Sequence, residues 1–156
     1  MKSIKVGDQA PDVILATHDG RRFSLADFRG TQAVVLFFYP KDNSRICTRE
    51  ACSFRDAYDE FVEAGAVVIG VSGDSNDSHR EFADEHQLPY LLVADTDGAV
   101  RRAFGVPKTL GLIPGRVTYV IDRDGVVQSV FNAPLQSQRH MDEALKTVRD
   151  LNAGDV

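Results

Sequence analysis

Ala33-Val-Val-Leu-Phe-Phe-Tyr-Pro-Lys-Asp-Asn-Ser-Arg-Ile-Cys-Thr-Arg-Glu-Ala-Cys52 joins an apolar run, a proline loop and both cysteines of the chain. The run over 33–39 lacks polar alternation and has the length of a strand buried on both faces, as in a parallel sheet covered by helices. Pro40 ends it, because proline cannot donate to a ladder, and Asn43 and Ser44 favour a turn or cap. Beyond them Phe54, Tyr58, Phe61 and Val62 recur at helical spacing, opposite Arg55, Asp56, Asp59, Glu60 and Glu63, and Gly65 fits a C-terminal stop. The spacing predicts one helix over 47–64, with Cys47 at a strand-to-helix junction.

That placement points to redox chemistry at sulfur. The thiolate is the nucleophilic form of cysteine, and the unpaired N–H groups of a helix N-terminus or a nearby cation favour it. A buried cysteine also serves as an inert small hydrophobe, and two cysteines on one helix could form half of a metal site. No third cysteine exists, and His18, His79, His86 and His140 show no ligand spacing. In an intact helix, residues five apart rise about 7.5 Å and point roughly 140° apart, so Cys47 and Cys52 could bond only if that turn unwound. A disulfide that needs local unwinding suits a transient bond better than a staple.

The 156 residues, 43% of them hydrophobic, suffice for one packed core, and the reading takes 1–156 as a single domain. A net charge of -5 with dispersed basic residues argues against nucleic acid as a partner. Residues 1–8 lack the apolar segment of a secretory signal, and no apolar run reaches membrane-spanning length. The expectation is a cytoplasmic protein without membrane contact, whose cysteines stay reduced or work catalytically.

Outward from the cysteine segment, the elements alternate. Val13–Leu15 and Arg22-Phe23 flank Asp19-Gly20 as a hairpin, and Ser24–Phe28 forms a short helical turn. Ala66–Val71 reads as a second buried strand, followed by a helix near 76–87, a strand at 90–94 and a short helix over 101–104. Thr118–Ile121 and Val126–Phe131 face each other across Arg123-Asp-Gly125, and a helix after Ser137 buries Met141, Leu145 and Val148. The order predicts an α/β fold: a central mixed sheet flanked by helices, thioredoxin-like, with an N-terminal β-hairpin and one insertion.

Phe38-Tyr-Pro-Lys-Asp-Asn-Ser-Arg-Ile-Cys-Thr-Arg-Glu-Ala-Cys-Ser-Phe-Arg-Asp56 resembles the peroxiredoxins of the Q, or bacterioferritin-comigratory, type. Gly7–Asp12, Gly70–Ser75 with Ser78-His79, Leu88-Pro89, Ala94–Gly98 and Arg116–Asp122 match the same family in order, so the likeness spans about 7–150. The resemblance implies a thiol peroxidase without cofactor or metal. Cys47 would be the peroxidatic cysteine, attacking the terminal peroxide oxygen to give a sulfenic acid while water or an alcohol leaves. Ser44 and Arg116 would hold the peroxide oxygens, Pro40 would shield the sulfur, and Glu50 would orient an arginine through a bidentate pair.

Cys52 matches the resolving cysteine of one branch. It would close a disulfide with Cys47 that thioredoxin or a similar dithiol reopens, with a local fold switch over 45–53. Relatives of this type suggest a monomer. The chain departs from the usual Thr-Pro-Gly at Ser44-Arg45-Ile46: serine keeps the hydroxyl but loses the methyl that restricts its rotamer, and Arg45 adds a cation. On the same fold, a thiol–disulfide oxidoreductase or a peroxide sensor are the alternatives. The first normally uses cysteines separated by two residues, a spacing absent here.

Overall fold

A computed structural model describes residues 3–108 and 115–153. Its centre is the run read above. Strand β3 (Ala33–Phe38) is buried at every position, after an N-terminal hairpin of β1 (Ile14–Ala16) and β2 (Arg22–Ser24) and a 3-10 turn at Leu25–Phe28. Strands β4 (Ala66–Ser72) and β5 (Leu91–Ala94) continue the sheet in parallel on one side, Ala33 facing Ala66 and Ile69 facing Leu91. Strands β6 (Val117–Ile121) and β7 (Val127–Asn132) complete it antiparallel on the other, giving the order β5-β4-β3-β6-β7.

The period of two along β3 splits the interior into two layers. Val35 and Phe37, with Tyr39 just beyond the strand, face a core made with α1 (Arg45–Asp56), α2 (Tyr58–Glu63), α3 (Asn76–His86) and α5 (Ser137–Ala153). Val34, Leu36 and Phe38 face the hairpin and α4 (Ala99–Phe104), where Phe38 and Tyr119 meet edge to face. The predicted mixed sheet with helices on both faces is the observed architecture. The second hairpin turns at Gly125, whose φ of 82° is a conformation glycine adopts without strain.

One helix over 47–64 is not what forms. Helix α1 begins two residues earlier, and the chain steps at Ala57 (φ -98, ψ 5) before α2. Phe54 and Phe61 stay fully buried on either side of the step, their rings 5.8 Å apart, with the small Ala57 side chain tucked between the helices and the core. Val62, grouped above with the apolar face, lies 51% exposed. Helix α3 stops at His86 because Gln87 takes a left-handed cap conformation.

Candidate active site

Ser44 caps α1 with extended backbone, and the first intrahelical bond runs from Thr48 N–H to the Ser44 carbonyl. Cys47 therefore sits in the first turn, among N–H groups that have no acceptor within the helix. Its side chain is only 1% exposed. Arg116, immediately before β6, reaches across from the neighbouring strand and donates from Nη2 to Cys47 Sγ at 3.1 Å. The same guanidinium donates from Nη1 to Glu50 Oε1 at 2.8 Å and from Nε to the Pro134 carbonyl at 2.9 Å. A cation with every face of its fork engaged is held at one position beside the sulfur.

Glu50, one helical turn after Cys47, is fully buried. The expected bidentate pair with arginine is a single hydrogen bond through Oε1. The other oxygen, Oε2, is buried and makes no hydrogen bond; it lies 3.4 Å from Nδ1 of His140 on α5. Burial pushes the Glu50 carboxyl up to about 8, against the pull of Arg116. His140 is also fully buried. Its Nε2 lies 2.7 Å from the Ala133 carbonyl, which can only accept, so Nε2 carries a proton. Nδ1 meets Thr118 Oγ1 at 2.8 Å. Burial first, then the Arg116 charge, bring the imidazole down to about 4, with the Ala133 bond opposing.

The loop between β3 and α1 is fixed by a second buried network. Tyr39 donates its hydroxyl to Asp42 Oδ1 at 2.6 Å, and Ser78 donates to Oδ2 at 2.9 Å. His79 Nδ1 lies 2.7 Å from the same Oδ2 and Nε2 lies 3.0 Å from the Val93 carbonyl. Val93 fixes the Nε2 proton, so a further proton lies between Nδ1 and Asp42. Asp74 accepts from Asp42 N–H and from the Ser72 hydroxyl. Asp42, Asp74 and His79 bring ligand atoms within 4.8 Å of one another, but His79 Nδ1 and Asp42 Oδ2 are already paired at 2.7 Å and Asp74 accepts from the Asp42 N–H and the Ser72 hydroxyl, so these atoms are engaged in hydrogen bonds. Asn43 bends the loop with φ 65, which asparagine tolerates. Arg101 ties this loop to the Arg116 segment by donating to the Tyr39 and Gly115 carbonyls.

Of the residues named from sequence, Cys47, Glu50 and Arg116 meet directly. Ser44 and Pro40 lie half-buried at the mouth of the same junction, and the Ser44 hydroxyl donates to the Lys41 carbonyl at 3.0 Å. Cys52 is on α1, half-buried, and both thiols are free. Burial, chiefly, raises the Cys52 thiol, with Arg55 opposing. The sequence assigns no role to His140, Thr118, Asp42 or Arg101. His79 and His140 figure there among histidines without ligand spacing, His79 also in a matching Ser-His pair, and no local spacing connects any of these residues to Cys47.

Residues 6–130 match the AhpC/TSA family. A chloroplastic peroxiredoxin Q of Sedum lineare is 47% identical over 93% of this chain and 78% of its own length. The structure superposes on peroxidoxin BcpB of Mycobacterium tuberculosis with a TM-score of 0.87 at 36% identity, covering 95% of this chain and 98% of that one. The bacterioferritin comigratory protein of Xanthomonas campestris, described for its alkyl peroxide reduction activity, superposes with a TM-score of 0.83 at 28% identity, over 96% and 98% of the two chains. The chain belongs to the AhpC/TSA family and, within it, to the peroxiredoxins of the Q type, which are thiol peroxidases.

Proposed function

We propose that this peroxiredoxin reduces hydrogen peroxide and organic hydroperoxides through Cys47, and that Cys52 resolves the oxidised cysteine. The observation that carries the reading is the Arg116 guanidinium at 3.1 Å from a sulfur in the first turn of α1. Helix N–H groups and guanidinium together favour the thiolate and can hold the negative charge that develops on the peroxide oxygens. The thiolate attacks the terminal oxygen, the O–O bond breaks, and the departing alkoxide or hydroxide takes up a proton, leaving Cys47 as sulfenic acid. Ser44, at the helix cap, has a hydroxyl that can turn from the Lys41 carbonyl toward substrate, and Pro40 limits water at the mouth.

Resolution needs α1 to open. Both cysteines lie on an intact helix, Cys47 turned inward, and the raised Cys52 thiol is a weak nucleophile in that state. Unwinding over 45–53 would bring the sulfurs together; the Cys52 thiolate then displaces hydroxide from the sulfenic sulfur, which leaves as water. Thioredoxin or a similar dithiol restores both thiols. The reducing partner and a monomeric state are part of this proposal.

The deciding experiment is the intact mass of the reduced protein before and after one equivalent of hydrogen peroxide, with the modified peptide mapped. Loss of two hydrogens at a Cys47–Cys52 link is expected. One added oxygen on Cys47 without that link would remove Cys52 from the cycle, and no change would overturn the peroxidase assignment of Cys47. Sustained peroxide consumption with a thioredoxin system separates a turning-over enzyme from a sensor oxidised once.

A further inference from the structure

Arg116 is one buried cation facing two groups that can be anions, the Cys47 sulfur at 3.1 Å and the Glu50 carboxyl at 2.8 Å. A buried site with one cation is balanced by one anion, and a second would lie uncompensated in a low-dielectric interior. Thiolate and carboxylate therefore compete for Arg116. What favours one over the other is the surroundings of Glu50 Oε2, the buried oxygen that makes no hydrogen bond.

The groups facing that oxygen come from several elements. From α5, His140 presents Nδ1 at 3.4 Å. From β6, Thr118 places its hydroxyl 2.8 Å from the same nitrogen, and Arg116 occupies the other carboxyl oxygen. From the segment before β5, the buried Tyr90 phenol donates to the Ala51 carbonyl, and burial, the largest cause, keeps it protonated. The Phe131 ring of β7 closes the far side of the imidazole, edge to face at 4.8 Å. Because the Ala133 carbonyl fixes the proton on Nε2, Nδ1 offers a lone pair. An ionised Glu50 would turn an oxygen toward that lone pair; a protonated one would donate to it.

We infer that His140 is a positioning residue for the thiolate: its Nδ1 accepts a proton carried on Glu50 Oε2, keeping Glu50 uncharged and leaving the Arg116 charge to Cys47. Such a role rests on Cys47 being the peroxidatic cysteine proposed above, but thiolate formation is readable without peroxide. The raised Glu50 carboxyl and the lowered imidazole agree with this arrangement. Thr118 is the competing donor to Nδ1 and holds the ring in place when Glu50 loses its proton. No new reactant is needed, since the proton only changes its residence between Glu50 and solvent or thiol.

The test is the rate at which iodoacetamide alkylates Cys47, read on its own peptide in the full reduced chain, and expressed as the ratio of the rate near pH 6 to that near pH 9. Expressing it as a ratio cancels changes in access. In His140→Leu the carboxyl loses its acceptor and ionises, and the ratio should fall about tenfold, the equivalent of one pH unit of thiolate formation. His140→Asn returns an acceptor to the Nδ1 position and should recover most of the loss. Adding Glu50→Gln to His140→Leu removes the competing anion and should also recover it. A ratio that rises in His140→Leu would mean His140 is a cation paired with an ionised Glu50. That result, an unchanged ratio, or failure of both rescues would overturn the inference. Absence of peroxide consumption by the wild-type protein would instead strike the peroxidase reading and leave this ratio standing.

Discussion

Arg116 spends its Nε on the Pro134 carbonyl, one terminal nitrogen on Glu50 and the other on Cys47, so its charge is delivered to the sulfur from a fixed direction. A lysine could supply the charge but not the fork. Replacing Arg116 by methionine should lower the second-order rate of peroxide consumption by roughly 10²- to 10³-fold, as for loss of a preorganised donor to developing charge, measured by competition against a peroxidase of known rate. A loss under about tenfold would leave the helix N-terminus as the main stabiliser of the thiolate. The Asp42 network makes a different demand, on stability. Asp42 is 3% exposed and His79 0%, and Asp42→Ala strands the imidazole, the Tyr39 hydroxyl and the Ser78 hydroxyl together. Breaking a buried pair by removing one partner costs about 3–5 kcal/mol, and urea unfolding of the reduced protein should show a loss of that size.

At the scale of elements, α1 must be stable enough to bury Cys47 and weak enough to release it. Its second half is pinned: the Tyr90 hydroxyl donates to the Ala51 carbonyl at 2.6 Å, Arg55 donates to the His86 carbonyl, and Phe54 stacks on Phe37 at 4.5 Å between centroids. The first half has Arg116 and the loop network at its N-terminus. Unwinding that begins at Ser44 therefore meets its first firm barrier near residue 51. Tyr90→Phe removes a buried hydrogen bond worth about 1 kcal/mol, and if opening passes residue 51 the Cys47–Cys52 disulfide should form roughly five times faster after a peroxide pulse, as seen in quenched mass spectra. An unchanged rate would place the limit of unwinding before Ala51. Periodicity revealed the strand, the loop and the helix here, because buried strands and amphipathic helices write their periods into adjacent residues. It could not reveal the step at Ala57, because Phe54 and Phe61 stay in helical phase across it, in contact within one core.

For the whole molecule, the sheet and its two layers were legible because apolar runs, glycine turns and helical repeats are local signals. The site was legible only where chemistry is concentrated in one segment or carried by a family likeness. Cys47, Glu50 and Arg116 were reached in that way, whereas His140 and Thr118 come together through the pairing of β6 with β3 and the packing of α5 on α1, which no spacing along the chain records. The buried pair these folding events create has a consequence for overall stability. Glu50 sits at about 8 in the folded protein against an ordinary 4.5, so the native state holds a proton that the unfolded chain has released between those values. That proton-linked stability is present below 4.5 and is lost as pH rises to about 8. His140, at about 4 against 6.5, acts with the opposite sign: its contribution is present above 6.5 and lost as pH falls toward 4. Of these two groups, whose slopes oppose each other between 4.5 and 6.5, only Glu50 contributes a slope from 6.5 to 8. Urea unfolding of the reduced wild-type protein and of Glu50→Gln at those two pH values isolates it. The wild type should lose about 1 kcal/mol per pH unit relative to the variant across that interval. Parallel curves would mean that Glu50 is already ionised in the native state, and that Arg116 divides its charge between two anions.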